Sequence, residues 1–173
     1  NTKKEGKRIN PFFLSYNTPH ETAPFDKITL ADYEEAMLEG IRRDNEQIEE
    51  MLNDPEEPTF DNTIIREDKQ EGRKHYYDLL GRVTSVFFNL LSAETNDDMD
   101  ALAQKMSPIL TKHSNDISLN PKVFERIKYV YEHHRELTPE EARLLEDSYD
   151  GLVRSGALLS EKDKDKLRKL TEE

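Results

Sequence analysis

Tyr76-Tyr-Asp-Leu-Leu-Gly-Arg-Val-Thr-Ser-Val-Phe-Phe-Asn-Leu-Leu91 is the stretch that decides the fold class. Its apolar residues Tyr76, Leu79, Leu80, Val83, Val86, Phe87, Leu90 and Leu91 recur at threes and fours, the spacing that lines one face of an α-helix. This is the strongest apolar face in the chain and predicts a core helix, with Gly72 as a break ahead of it.

Upstream, Leu30, Tyr33, Met37, Ile41, Ile48 and Leu52 form a second stripe, interrupted by Asp44. Thr29 is placed to cap it, with Asp32 at the acidic position of a capping box. Asn53, Asp54 and Pro55 stop it, because proline has no amide hydrogen and pushes the preceding residue out of the α region. Thr59 then caps a further helix expected to run through Ile64 and Ile65. Before Thr29, Pro11, Pro19 and Pro24 are scattered among Phe12, Phe13, Leu14 and Phe25 without a sustained period. That pattern predicts an extended arm over residues 1–28, docking its aromatics on a helical domain over residues 29–173.

Downstream, Asn96 with Asp97 and Asp98 opens a stripe of Met99, Leu102, Ala103, Met106, Ile109, Leu110, His113 and Ile117. Pro108 falls inside it and predicts a kink or break near Met106 and Ser107. Asn120 and Pro121 start a helix through Val123, Phe124, Ile127, Val130 and Tyr131. Thr138, Pro139, Glu140 and Glu141 start another through Leu145, Tyr149, Leu152 and Val153, stopped by Gly156. Ser160 opens a last segment with Leu167 and Leu170 on one face, which reaches Glu173 without a stop signal and reads as a helix cut short. No segment alternates as a half-buried strand does, and no Asn-Gly or Asp-Gly turn joins two β-branched runs. The expectation is an all-α chain of about seven amphipathic helices after an extended N-terminal arm, with no fixed repeat.

Composition narrows the function classes. Of 173 residues, 36% are charged, and the net charge is −12. Such a chain repels phosphate backbones and has no dominant Lys/Arg cluster, so nucleic acid is not an expected partner. The longest apolar cluster, Val86 to Leu91, is broken by Asn89 and falls far short of the roughly 18 to 20 residues of a membrane span. Cysteine is absent, which removes disulfides, thiolate nucleophiles and cysteine-ligated metals and leaves cytoplasm and periplasm equally open. Asn1 and the polar, basic lead to Asn10 read as a processed or cut start rather than a signal peptide.

No residue is assigned a catalytic, cofactor-binding or metal-binding role. His20, His75 and His113 each stand alone, and His133 and His134 are adjacent, about 100° apart on a helix, so neither pattern builds a zinc site. The residues three before the histidines are Asn17, Gly72, Leu110, Val130 and Tyr131, none of them the Glu of a di-iron bundle. Asn96 to Asp100 and Asp163 to Asp165 lack the glycine of a calcium loop and read as helix starts and surface charge. His113 lies on an apolar stripe, as a core histidine bonded to a neighbouring helix does. Ser85 and Ser107 have no glycine-framed elbow, and no Gly-rich phosphate cradle exists.

The strings Asn10-Pro-Phe-Phe13, Pro24-Phe-Asp-Lys-Ile28, Asp32-Tyr33, Pro58-Thr-Phe-Asp-Asn-Thr-Ile64 and Val86-Phe-Phe-Asn-Leu90 together carry a resemblance. It continues through Ala93-Glu-Thr-Asn-Asp97, Ser107-Pro108, Lys112-His-Ser-Asn-Asp-Ile117, Leu119-Asn-Pro121, Arg126-Ile127 and Val153-Arg-Ser-Gly-Ala157. In that order, from Asn10 onwards, the chain resembles the amino-terminal region of the thimet-oligopeptidase-like zinc metallopeptidases, their peptidyl-dipeptidase branch above all. It departs from the family after Ile65, where Arg66-Glu-Asp-Lys-Gln70 replaces apolar helix residues and predicts a wetter or shifted stretch.

The resemblance implies a two-lobed helical peptidase whose halves enclose a deep channel that admits short peptides. It places one zinc, and the His-Glu-x-x-His helix that holds it, in the other half; the motif is absent from this sequence. The chain alone is therefore expected to bind no catalytic zinc and to cleave nothing, its partners being the catalytic half of the same polypeptide and, for the whole, short oligopeptides. Separated from that half, it is expected to self-associate through uncovered apolar surface or to be only marginally stable. The competing reading is a stand-alone acidic helical interaction module without enzymatic activity, motivated by self-sufficient caps and the lack of a site.

Overall fold

The computed structural model describes residues 8–13, 28–68, 73–75, 79–94 and 96–172. Expectations for Leu14, Pro19, His20, Pro24, Phe25, Gly72 and Tyr76 lie outside the described residues. Six α-helices dominate: α1 (Leu30–Leu52), α2 (Leu79–Ala93), α3 (Asp97–Ser118), α4 (Pro121–His133), α5 (Pro139–Arg154) and α6 (Glu161–Glu172). A 3-10 turn at Pro11–Phe13 precedes them, and a π-helical turn, Phe60–Ile64, follows α1. The fold is all-α, as the stripes predict, apart from one small antiparallel pair, β1 (Arg66–Asp68) with β2 (Arg73–His75), in the register Arg66↔His75.

Most boundaries follow from their caps. Thr29 and Asp32 form a reciprocal capping box: the Asp32 amide donates to Thr29 Oγ1 at 3.3 Å and the Thr29 amide to Asp32 Oδ2 at 2.8 Å. Asn96, Asn120 and Thr138 accept from the amides of Met99, Lys122 and Glu141, each satisfying a donor that the first helical turn leaves orphaned. Gly156 ends the run after α5 at φ +107°, a left-handed conformation that side chains rarely adopt.

Two expectations are corrected. The segment capped by Thr59 is a single five-residue π turn, because Ile65 is already extended and the charged Arg66–Asp68 leaves for a strand instead of continuing an apolar stripe. Of the kink or break expected near Pro108, the break does not occur: α3 runs unbroken to Ser118. Pro108 and Gln104 are both exposed, so the carbonyl that loses its backbone partner lies on the wet side of the helix.

The apolar residues gather in two clusters. Phe12, Tyr33, Met37, Leu79, Val83, Phe87, Met99 and Met106 belong to the first, and Ile48, Met51, Phe60, Val123, Val130 and Leu145 to the second. Helix α1 contributes its first half to one and its second half to the other. At α6, Lys164 is buried and donates to the Leu119 carbonyl at 3.1 Å, where its charge meets the negative end of α3. Arg168 pairs with Asp116 at 2.8 Å, tying the same two helices together.

The head of α1 is held by the segment before it. Arg8 grips Asp32 with both guanidinium nitrogens at 2.7 Å, and Asn10 donates to the Asp32 carbonyl at 2.9 Å. Phe12 is thereby seated 1% exposed against Tyr33, with ring centroids 5.3 Å apart. The Arg8 hydrogen bonds, reinforced by the Thr29 amide and hydroxyl, hold the Asp32 carboxyl down at about 2 against the opposing effect of burial.

Helices α1 and α2 approach most closely at Gly40, where an added Cβ would lie 2.9 Å from the backbone of Leu80. Gly40→Ala is therefore expected to lower the unfolding free energy by about 1–3 kcal/mol, despite the roughly 1 kcal/mol that alanine ordinarily adds to a helix. A lower urea midpoint at unchanged slope is the readout; an unchanged or raised midpoint would refute the close packing. Asp32 sets a pH dependence of definite sign. Its folded pKa lies below the unfolded value of about 4, so its stabilisation is complete above that value and is lost as pH falls towards about 2. Asp32→Asn is expected to lower Tm at neutral pH and to flatten the loss of Tm on acidification; parallel curves for the two proteins would contradict it.

Candidate functional site

His113 is buried on α3 with its Nε2 2.7 Å from Asp44 Oδ2 on α1; the two side chains are 7% and 6% exposed. The expectation of a core histidine bonded to a neighbouring helix is met, and Asp44, which interrupts the α1 stripe in sequence, is its partner. Asp44 follows Met37 by seven residues and precedes Ile48 by four, so it occupies a core position of the same face. A polar residue on the apolar stripe of each of two helices was the signal that could have paired them.

A cleft of about 710 Å³ opens where the π turn meets the end of α4 and the connection to α5. Glu57, Phe60, Tyr129, His133, Arg135 and Leu137 line it among others. The Tyr129 hydroxyl donates to the Glu57 carboxylate, and this hydrogen bond raises the pKa of the phenol. The Tyr129 ring stacks on His133 with centroids 4.3 Å apart and planes 17° from parallel. His133 Nδ1 lies 3.0 Å from the Tyr129 carbonyl oxygen and His134 Nδ1 3.0 Å from that of Arg135. Both adjacent histidines are exposed at the end of α4, each with one ring nitrogen engaged by backbone. The cleft thus offers stacking, hydrogen bonding and mixed charge. Sequence reading missed it, because Glu57 and Tyr129 lie far apart along the chain and meet only when α4 packs on the π turn.

Among the described residues no group of three His, Cys, Asp or Glu side chains is placed to hold a metal ion. Asp97, Asp98 and Asp100 occupy the first turn of α3, and Asp163 accepts from Ser160 and pairs with Lys166 at the head of α6. Ser107 donates to the Ala103 carbonyl at 2.7 Å, and Ser85 is exposed on α2. No described helix is long and apolar enough to cross a membrane.

Removing either partner of the buried pair breaks this hydrogen bond, so Asp44→Ala and His113→Ala are each expected to cost about 1–3 kcal/mol. Asp44→Leu combined with His113→Leu should cost clearly less than the sum of the two single leucine variants, because their contributions are coupled. Urea unfolding of the three proteins measures this, and strict additivity would show that the contact contributes nothing.

No family model matches the chain. Two curated proteins do: the chain is 37% identical over 166 residues to a dipeptidyl carboxypeptidase of Salmonella typhimurium and 35% identical over 167 residues to a dipeptidyl carboxypeptidase of Escherichia coli. Each match takes in 95% of this chain but only 24% of the relative, so the chain spans about a quarter of the length of these proteins. Across nearly all its residues, the chain is similar to dipeptidyl carboxypeptidases, the branch to which its ordered strings pointed.

Proposed function

We propose that this chain is the amino-terminal helical part of a zinc metallopeptidase that hydrolyses short oligopeptides and releases dipeptides from their carboxyl ends. The observation that carries the reading is the 37% and 35% identity, sustained over 95% of the chain, to two proteins named dipeptidyl carboxypeptidase. In this role the helices form one wall of a channel and limit the size of what enters; amphipathic helices with densely charged outer faces suit such a wall. The zinc that the resemblance implies finds no ligand set among the described residues, and the sequence contains no His-Glu-x-x-His. In this reading its ligands, and the glutamate that activates its water, belong to the remainder of a longer polypeptide.

The test is the complete coding sequence around these residues and the activity of its full product. The product is expected to release dipeptides from oligopeptides with a free carboxyl end, to spare their amidated counterparts, and to lose activity to a chelator until zinc is restored. A coding sequence that ends near Glu173, or lacks His-Glu-x-x-His throughout, would overturn the reading and leave an acidic helical interaction module. Equal cleavage of free and amidated peptides at internal bonds would overturn the dipeptide specificity alone.

A further inference from the structure

Among the described helices, α6 is attached to the body in a way of its own. Neither apolar cluster takes a residue from it, and its one buried residue is Lys164. Leu167 is half-buried beside Gly156, and Leu170, one turn on, is 78% exposed. The described contacts that hold α6 are mainly polar and fall on the last turn of α3. Lys164 donates to the Leu119 carbonyl at 3.1 Å, Arg168 pairs with Asp116 at 2.8 Å, and Asn115 donates to Thr171 Oγ1 at 2.8 Å and to Glu172 Oε1 at 3.1 Å. From this we infer that α6 is a hinged flap, latched on the end of α3 by Lys164, which opens and melts by itself while the two apolar clusters stay folded.

Helix α6 has 12 residues, and isolated helices shorter than about 12–15 residues are marginal in water, so it keeps its shape only while docked. Its grip rests on hydrogen bonds and ion pairs, each a modest net gain over the same groups in water. The body rests instead on whole side chains removed from water, such as Phe87 and Val130. The connection from α5 turns at Gly156, and its backbone hydrogen bonds are local: the Gly156 amide donates to the Val153 carbonyl, Ala157 to Leu152 and Leu159 to Gly156. Helix α6 can therefore swing away without breaking a backbone bond inside α5. Lys164 is the latch because it alone on α6 is buried, with its ammonium at the negative end of α3. Its other partner, Glu161 at 3.4 Å, lies on α6 itself and travels with it. Opening returns Asn115, Asp116 and the Leu119 carbonyl to solvent and leaves α3 in place.

Hydrogen exchange in the full product of the gene, followed peptide by peptide by mass spectrometry, tests the flap. Corrected for intrinsic rates, the amides of α6 are expected to exchange at least about 10-fold faster than those of α4, whose Val123, Ile127 and Val130 lie in the second cluster. Lys164→Met keeps the stem and removes the charge. It is expected to speed exchange of α6 by about a further 10-fold, the effect of one charge-assisted hydrogen bond, and to leave α4 unchanged. Asp116→Asn, exposed on α3, is the second variant and is expected to act in the same direction by weakening the hold on Arg168. Equal protection of α6 and α4 would overturn separate opening, as would a Lys164→Met protein in which both speed up alike. An α6 without any protection, or one that neither variant changes, would overturn the latch. Exchange is read without turnover, so the flap stands or falls whether or not the product releases dipeptides.

Discussion

The hydrogen bond between Asp44 and His113 sits on α1 between the residues of the two apolar clusters and ties α1, which serves both, to α3. Met37, seven residues before Asp44, belongs to the first cluster, and Ile48, four residues after it, to the second. Burying polar side chains there is unfavourable unless their hydrogen-bonding groups are satisfied, and Asp44 and His113 meet that need in part through each other. That requirement fixes α3 against α1 to within the tolerance of a hydrogen bond, which methyl groups alone do not demand. A slide of α3 by one turn would keep apolar contacts in kind but break this hydrogen bond, so the pair favours one register. Neither residue lines the described cleft, and the role that fits the geometry is positional.

Away from this node the same two devices recur at the head of α1 and at α6: an Arg–Asp pair and a side chain donating to a backbone carbonyl. The head of α1 is gripped by Arg8 and Asn10, with Phe12 as the apolar wedge. The far end relies on Lys164, whose ammonium is buried against the last turn of α3, and on Arg168 at Asp116. Burial alone would raise the Asp116 carboxyl; Lys112 and Arg168 outweigh it and hold its pKa below the ordinary value. Each device joins segments distant in sequence, so α1 and α3, the two long helices, serve as the frame on which shorter elements are hung.

What the sequence reveals are the features set by local physics. Thr29, Asn96, Asn120, Thr138 and Gly156 act within a few residues of themselves, and each does in the structure what its residue type and position demand. What it conceals depends on neighbours from elsewhere. The π turn after Thr59 stops at Ile65 because β1 has a partner in β2. Proline's effect at Pro108 depends on which face of α3 is wet, a tertiary fact. Gly40 reads as an ordinary small residue in α1 until Leu80 is seen against it. The candidate cleft was invisible for the same reason, since Glu57, Tyr129 and His133 become neighbours only through packing.

The distribution of charge separates what holds the fold from what only dresses its surface. Many of its ions are matched one turn apart on the same helix, as Arg42 is with Glu39 and Glu46, or Lys112 with Asp116. Such exposed pairs contribute little to stability, about 0–1 kcal/mol each. Stability then rests on two small clusters in a chain only 34% hydrophobic. Against that background the uncharged α2 stands apart: a surface rich in compensated charge elsewhere gives way here to serine, asparagine and one half-exposed phenylalanine. A helix whose outer face is serine and asparagine meets water through hydrogen bonds rather than ion pairs, so its hold on the body comes from the buried Leu79, Val83 and Phe87.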